Sequence, residues 1–255
     1  MDAVADTWYL FMKYARITAR MPMWTLFGLV QPLIWLVIFG QLFSRFAQMA
    51  GGESSSYLAF LTPGIVVMTV LFGSSWAGVN LLREITYGTV EKMMVTAVHR
   101  PAIVLSRVLH NGVLVVLQVG IVLSVAVAMG AQIRPGAGGV LLLLGVVFAM
   151  GLGFASLSNA IALKLRREEP LMVAGNLLTL PLMFFTSAFI SKSFMPSWIA
   201  ALASVNPVHY GVEASRTLLA GQRWDGDFWF AVSVVAAFSA VMLGWSMWLF
   251  MRQRT

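Results

Sequence analysis

The side chains that could carry out acid–base, nucleophilic or metal chemistry are few in this 255-residue chain, and they are widely spaced. The histidines are His99, His110 and His209, and no H-E-x-x-H sequence places two of them beside a glutamate on one helix. Because cysteine is absent, neither a disulfide nor a thiolate metal site can form. No Gly-Lys pair occurs, which excludes the phosphate-binding loop that holds ATP. The sequence therefore predicts no catalytic residue, no metal site and no cofactor bound by this chain.

Six long stretches contain no Asp, Glu, Lys or Arg, and hydrophobic residues make up 59% of the chain. Each stretch approaches the roughly 20 apolar residues needed to cross about 30 Å of hydrocarbon. They are residues 23–43, 57–79, 108–130, 139–163, 171–190 and 228–250. Backbone groups in lipid must form hydrogen bonds within their own segment, so each stretch is predicted to be a helix. The predicted fold class is an all-α polytopic membrane protein with six transmembrane helices.

The distribution of basic residues sets the predicted orientation. The 17 Lys and Arg residues concentrate before the first span, between the second and third, after the fourth, and at the end of the chain. Because basic residues near spans stay in the cytoplasm, both termini are predicted to be cytoplasmic. This topology and contact with anionic membrane lipid explain the formal net charge of +7, and nucleic acid is not an expected partner.

Residues 1–22 are predicted to form an amphipathic helix that lies in the cytoplasmic interface of the membrane. Apolar side chains recur at helical spacing at Trp8, Leu10, Phe11, Tyr14, Ile17 and Met21. Basic side chains lie opposite them, at Lys13, Arg16 and Arg20. The alternative interpretation is a solvated lead-in to the first span.

The polar side chains inside or beside the predicted spans are amides rather than carboxylates. They are Gln31, Asn80, Asn111, Gln118, Asn159 and Asn176. Ion-coupled transporters usually place an ionisable carboxylate near the middle of the membrane, so its absence from the predicted spans indicates an energy source elsewhere. The amides either line a substrate path or bond neighbouring helices to each other.

A charged but apolar-rich segment, residues 81–107, separates the second and third predicted spans. Gly88 and Thr89 predict that one helix stops and another begins there, with Thr89 as its N-cap. The new helix would carry an apolar stripe of Val90, Met93, Met94 and Val98. Such a surface helix either connects two spans along the membrane or docks into the groove of a partner.

A second irregular segment, residues 194–220, precedes the last predicted span. Pro196 and the Asn206-Pro207 pair make a single spanning helix unfavourable, so we predict two short helices that dip back into the outer leaflet. Glu213 and Arg216 are three residues apart and are predicted to pair, which is also what a purely local salt bridge would do.

The segment from Arg83 to Leu109 resembles the ABC-2 type permease family, the membrane subunits of one class of ABC exporter. The matching positions are Arg83, Glu84, Gly88, Thr89, Glu91, Val95, Thr96, Val98 and Arg100. Ala97 stands where the family often has proline. Residues 61–65 and the N-P-x-x-Y-x-x-x-x-x-R-x-x-x-x-G pattern over residues 206–221 also resemble the family, so the similarity spans nearly the whole chain.

The resemblance implies an interfacial helix over residues 1–22 and an ABC-2 transmembrane domain over residues 23–255. It implies a coupling helix within residues 83–100 and re-entrant helices within residues 194–220, in a multi-pass protein of the plasma (bacterial inner) membrane. It also implies a second permease chain, identical or paralogous. Two copies of a separate ATPase subunit, which bind ATP and Mg²⁺, would complete the complex.

The resemblance further implies roles for individual residues. Contact with the ATPase is expected from Arg83, Glu84, Gly88, Thr89, Glu91, Met93, Met94, Val95, Thr96 and Arg100. Glu84 and Glu91 would make polar contacts with it, and Met93, Met94 and Val95 would sit in its groove. The re-entrant exit segment would use Asn206, Pro207, Tyr210, Glu213 and Arg216.

The expected function is export of a hydrophobic or amphipathic compound, with similarity to daunorubicin-type drug exporters. A permease for a lipid-linked polysaccharide is the nearest alternative. A membrane scaffold that recruits a soluble protein without transport is an alternative of a different class, and an ion-coupled carrier is a third.

Overall fold

The structure is a computed structural model that describes residues 2–49, 54–96, 98–189 and 195–252, and these residues form eleven helices and no strand. The all-helical prediction is confirmed. The helices are α1 (Ala3–Arg20), α2 (Pro22–Met49), α3 (Ser54–Ser75), α4 (Ala77–Thr86), α5 (Thr89–Met94), α6 (Arg100–Ala128), α7 (Ala137–Leu165), α8 (Glu168–Phe184), α9 (Ser197–Val205), α10 (Pro207–Leu219) and α11 (Gly226–Arg252).

Within the described residues, four helical stretches are long and apolar enough to cross a membrane. They are Tyr57–Thr86, Arg100–Ala128, Ala137–Leu165 and Gly226–Arg252. The first covers α3 and α4, which a turn at Trp76 separates. A shorter apolar stretch, Leu26–Leu42, lies within α2, which continues through Pro32. The chain is therefore a helical protein with several apolar helices of membrane-spanning character.

The predicted fifth span, residues 171–190, corresponds to α8, which has 17 residues and ends at Phe184. The Asn206 side-chain amide ends this helix by donating to the carbonyl oxygens of Leu182 (2.7 Å) and Phe185 (3.0 Å). The last carbonyl groups of a helix have no N–H donor within the helix. Here a side chain 21–24 residues further along the chain supplies the hydrogen bonds that another helical turn would have supplied. Ile190 lies outside the described residues.

Helix α3 is the centre of the core. It packs against α2, α6, α7 and α10, and most of its side chains are fully buried. Its sequence is apolar on all faces, as expected for a helix surrounded by other helices.

Helix α7 makes close contacts with its neighbours through small residues. The Gly78 N–H donates to Ser158 Oγ at 3.0 Å, and Ser158 Oγ donates to the Ser75 carbonyl at 2.7 Å. A Cβ atom added at Gly78 would stand only 2.3 Å from the Ser158 carbonyl oxygen. On the other side of α7, a Cβ added at Gly153 would lie 2.8 Å from Ser239 Oγ in α11. Helices approach this closely only where side chains are small.

Candidate functional site

The coupling segment, residues 83–100, contains a sharp break between two helices. Helix α4 ends at Thr86, and α5 begins at Thr89. Gly88 lies between them with φ +67°, a left-handed conformation that glycine adopts without steric cost. Gly88 is also the N-cap residue of α5, so the prediction of Thr89 as N-cap is wrong: Thr89 is the first helical residue. One helix ends and another begins at the predicted place, because Gly88 can adopt the left-handed conformation that the break requires.

The apolar stripe of α5 faces the protein's own interior. Val90 is buried, and Met93 and Met94 are half-buried. All three pack in the second core cluster, which we define by its buried members Leu81, Val90, Ile103, Val104, Val108, Ala155, Leu163 and Phe250. Val98, the fourth predicted member of the stripe, lies beyond the end of α5 and packs against the same cluster, so the coupling segment is held against the protein interior.

The opposite side of the coupling segment is open. Tyr87 is 76% exposed and Val95 is 86% exposed, and the side chains of Glu91 and Lys92 are exposed between them in sequence. The Thr96 hydroxyl donates to the Met93 carbonyl at 2.6 Å, which closes the last turn of α5. This part of the segment is an exposed surface with apolar groups at both ends and charges between them.

Glu84 lies in an internal ion pair. Its carboxylate pairs with Arg107 of α6 and accepts a hydrogen bond from the Tyr14 hydroxyl at 3.2 Å. The Arg107 guanidinium also lies over the Tyr14 ring, 5.0 Å from its centroid. The side chain of Arg107 is 8% exposed and that of Glu84 is 24% exposed. We call Tyr14, Glu84 and Arg107 the Glu84 cluster; it joins α1, α4 and α6.

Burial has a chemical consequence for Tyr14. Burial raises the pKa of the Tyr14 phenol and is the largest influence on it. The positive charge of Arg107 lowers this pKa, and the Glu84 carboxylate raises it. The hydroxyl therefore stays protonated at neutral pH and donates to Glu84.

Helix α1 runs beside the first three turns of α6 in the same direction. At one end, the Asp6 carboxylate accepts from the backbone N–H of His99 at 3.1 Å and lies 2.8 Å from His99 Nδ1. At the other, Thr18 Oγ1 lies 3.0 Å from His110 Nε2. The two contacts are about 18 Å apart along α1 and about 17 Å apart along α6, which requires the helices to lie side by side. The prediction of an amphipathic N-terminal helix gave no indication of this partner.

A second polar group surrounds Ser187, just after α8. We call Ser187, His209, Glu213 and Arg216 the Ser187 cluster. The Ser187 hydroxyl bonds to Glu213 Oε1 and lies 3.1 Å from His209 Nδ1. Arg216 donates to Glu213 Oε1 at 3.2 Å and to the Ser187 carbonyl oxygen at 2.7 Å. The predicted Glu213–Arg216 pair is present, but it belongs to a network that fixes the chain after α8 to α10.

The Ser187 cluster is not arranged for nucleophilic catalysis. In a Ser-His-acid triad the histidine lies between the other two groups, whereas here the serine lies between His209 and Glu213. A hydroxyl has one proton, so Ser187 donates it to the Glu213 carboxylate and accepts from the His209 ring. Ser187 and His209 are also buried. The arrangement is a structural network.

The predicted exit residues lie around this cluster. Asn206 separates the two short helices α9 and α10, and its Oδ1 caps α10 by accepting from the Val208 N–H at 3.0 Å. Pro207 is the first residue of α10. The Tyr210 hydroxyl donates to the Ser204 carbonyl at 2.7 Å, which ties α10 back to α9. The prediction of two short helices broken at Asn206-Pro207 is confirmed.

The six amides predicted for spans divide into two groups. Asn111, Gln118 and Asn159 are buried, and the Asn111 amide donates to Ser74 Oγ at 3.0 Å. Gln31, Asn80 and Asn176 are exposed on the surface of the single chain. Three of the six amides therefore lie inside the helical bundle and three on its surface, and their role in a substrate path stays a prediction.

The remaining residues predicted for ATPase contact lie at the surface. Arg83 forms an ion pair with Glu168 at 3.1 Å, and the two side chains are 45% and 34% exposed. Arg100 is the exposed first residue of α6. Sequence reasoning missed Tyr14 and Arg107 as partners of Glu84, and it missed Ser187 as a partner of both Glu213 and His209. No spacing signal links them, since the partners in these pairs are up to 70 residues apart.

Comparison with known sequences identifies the family of this arrangement. The sequence profile of the ABC-2 type transporter family matches residues 5–220, which include both polar clusters and the coupling segment. The chain belongs to the ABC-2 type transporter family. Like other members, it is a membrane subunit of an ABC transporter.

Individual relatives of this ABC-2 chain carry permease names. A protein named as transport permease ycf38 in Cyanophora paradoxa is 30% identical over 80% of this chain and 71% of its own length. The daunorubicin resistance ABC transporter permease protein DrrB1 of Streptomyces coeruleorubidus is 29% identical over 84% of this chain and 76% of its own. A protein named as doxorubicin resistance ABC transporter permease DrrC in Mycobacterium tuberculosis is 24% identical over 76% and 69%.

Proposed function

We propose that this chain is the permease subunit of an ABC exporter that moves a hydrophobic or amphipathic compound out of the cell across the plasma membrane. In this proposal α2 and α8 cross the membrane together with the four longer stretches, and both termini are cytoplasmic. The observation that carries the proposal is the exposed surface of the coupling segment, with Tyr87 and Val95 at its ends and Glu91 between them. Exposed apolar side chains beside charged ones suit a docking site for a soluble partner, because interfaces combine apolar contact with a polar rim.

The partner is a separate ATPase, in two copies per complex, because this chain has no phosphate loop of its own. Docking would occur through Val95, Tyr87 and Glu91 rather than through Met93 and Met94, which the second core cluster already occupies. Two other residues predicted for coupling would hold the segment in place: Gly88 forms the turn between α4 and α5, and Glu84 binds α4 to α6.

Movement of α5 would reach the membrane helices by two routes. The first is direct packing of Val90, Met93 and Met94 on the second core cluster. The second runs through the two flanks of the coupling segment, because Glu84 binds Arg107 and His99 binds Asp6. When the ATPase subunits bind ATP and close on each other, α5 would therefore move together with α1 and α6.

A second permease chain would cover α2 and α8. Gln31 and Asn176 are exposed in the middle of these apolar helices, and an amide left facing lipid has no hydrogen-bond partner there. A facing copy would supply partners for these amides, or would form with them a polar lining for the substrate path. The relatives named for daunorubicin and doxorubicin resistance favour a hydrophobic drug-like substrate.

The test is co-purification of the tagged chain with its ATPase in mild detergent, followed by vanadate-sensitive ATP hydrolysis. Val95→Asp places a charge in the proposed docking surface and should lower the amount of ATPase recovered by about tenfold, since burying an unpaired carboxylate costs more than about 1.4 kcal/mol. The matched control is Val205→Asp, at a valine that is 79% exposed at the end of α9. It should leave ATPase recovery unchanged.

Two results would overturn the proposal. Recovery of a well-folded chain without any ATPase, or with a soluble partner that hydrolyses no ATP, would favour the scaffold alternative. Equal ATPase recovery with Val95→Asp and the parent chain would remove the coupling segment as the docking surface.

A further inference from the structure

An apolar groove of about 450 Å³ lies between α1 and α6. Its α1 wall includes Trp8 and Phe11, its α6 wall includes Leu105 and Leu109, and Phe148 of α7 also lines it. The groove exists because α1 runs beside α6, as the Asp6 and Thr18 contacts require.

The groove offers nothing to a polar ligand. Thr7 is the one lining side chain with a polar atom other than the edge of the Trp8 indole, and its hydroxyl already donates to the Ala3 carbonyl at 2.8 Å. A hydroxyl whose proton is used within its own helix does not specify a ligand. The occupant must therefore be held by apolar contact, which a hydrocarbon chain supplies.

The groove continues into the apolar surface of α6. One row of residues, spaced by four, runs along this helix: Leu105, Leu109, Val113, Leu117 and Ile121. The first three line the groove, and Val113, Leu117 and Ile121 are exposed. The row is about 24 Å long, which is more than half of the roughly 30 Å hydrocarbon core. It therefore extends from the groove through the depth of one leaflet. If α6 crosses the membrane, a lipid acyl chain beside the exposed part of the row needs only to slide along it to enter the groove.

Charge at the open end indicates the headgroup. The groove begins at Pro101, next to Arg100, which is exposed at the first residue of α6. Basic residues at the membrane surface attract anionic lipids, and the amino end of a helix adds a partial positive charge. A zwitterionic headgroup would gain less from these charges.

We propose that the groove between α1 and α6 is a specific site for one acyl chain of an anionic phospholipid of the cytoplasmic leaflet. The bound chain fills the space between α1 and α6 and so holds α1 against the helix that follows the coupling segment. The site rests on α6 crossing the membrane and not on export, so the exporter proposal can stand if the lipid site fails.

The test uses the full chain in nanodiscs that contain phosphatidylglycerol with a photoreactive diazirine on one acyl chain. After illumination, mass spectrometry locates the labelled residues. We expect labelling of the groove walls at Phe11, Leu105 and Leu109 above that of Ile121, which faces bulk lipid. The same diazirine on phosphatidylcholine should label the groove about fivefold less, as one basic residue near the surface discriminates by about this factor.

Three variants make the test specific. Leu109→Trp fills the groove and should abolish labelling at Phe11 and Leu105, whereas Leu117→Trp, on the same row outside the groove, should leave it unchanged. Arg100→Gln keeps the groove intact and should reduce the preference for phosphatidylglycerol, so it provides a test even if Leu109→Trp fails to fold. Uniform labelling along the whole row, or cross-links from groove residues to a second protein chain, would overturn the proposal.

Discussion

The Glu84 cluster and the Ser187 cluster lie at opposite ends of the same helical stretch, and they are built differently. Glu84 is near the end of Tyr57–Thr86, and its partners come from α1 and α6, far away in sequence. Near the start of that stretch, Arg216 of the Ser187 cluster lies over the Phe60 ring, 4.5 Å from its centroid. The members of the Ser187 cluster all come from residues 187–216.

The difference indicates different mechanical roles. The Glu84 cluster joins three helices that are not consecutive in the chain, at the start of the coupling segment. The Ser187 cluster binds the chain just after α8 to α10, and Arg216 places it against Phe60 of α3. We therefore expect changes in the Glu84 cluster to affect the whole bundle, and changes in the Ser187 cluster to loosen one end of it.

The largest expected effect is the loss of Arg107. Arg107→Met leaves the Glu84 carboxylate partly buried without its cation, which should destabilise the protein by about 3–5 kcal/mol. The control is Arg83→Met, because the Arg83–Glu168 pair is more exposed than the Glu84–Arg107 pair and ion pairs near the surface contribute less than about 1 kcal/mol. Thermal unfolding in detergent measures both. Equal effects of the two substitutions would show that the Glu84 cluster is no more than a surface ion pair.

A methyl group at Gly64 tests how tightly residues 185–189, the chain after α8 that includes Ser187, pack against α3. A Cβ there would lie 2.7 Å from the Ala188 carbonyl oxygen, and the backbone cannot give way as a flexible side chain would. Gly64→Ala should cost about 3 kcal/mol, at the upper end for overpacking. Gly120→Ala, where no atom lies within 4 Å, should instead be neutral or stabilising by up to about 1 kcal/mol. A neutral Gly64→Ala would mean that residues 185–189 move freely on α3.

Ser187→Ala should have a smaller effect of about 1–2 kcal/mol. It removes one hydrogen bond to Glu213 and one to His209, and each hydrogen bond within a protein contributes about 0.5–1.5 kcal/mol. Ser124→Ala removes an exposed hydroxyl that bonds only within its own helix, and its effect should stay within about 0.5 kcal/mol. We expect Ser187→Ala to leave ATPase recovery unchanged, in contrast to Arg107→Met. If Ser187→Ala also lowered the amount of ATPase recovered, the Glu84 cluster and the Ser187 cluster would not have different mechanical roles.

The smallest effect concerns the Asp6–His99 contact and appears only with pH. Hydrogen bonds from His99 hold the pKa of the Asp6 carboxyl below its ordinary value near 4. The unfolded chain therefore binds this proton at higher pH than the folded protein does, so the contact stabilises the protein above about pH 4 and is lost as the pH falls further. Asp6→Asn should flatten the decline of the unfolding temperature between about pH 5 and pH 3. An unchanged pH profile would show that this carboxylate contributes nothing to holding α1.

Much of the fold was predictable because its signals are local. Continuous apolar stretches located the helices, Gly88 located the break in the coupling segment, and Asn206-Pro207 located the break between α9 and α10. The end of α8 was not predictable in this way, because Asn206 provides the donors that terminate it. Hydropathy continues past Phe184 although the helix does not.

For the candidate site, the sequence alone identified the family, the coupling segment and the pairing of Glu213 with Arg216, since these depend on residue types at short spacing. Only the tertiary structure decided which way each group faces. It turned Met93 and Met94 inward, left Val95 outside, paired Glu84 with Arg107 and Tyr14, and opened a groove between α1 and α6. An amphipathic pattern specifies that a helix has an apolar face, but the burial of that face is settled by packing against residues distant in the chain.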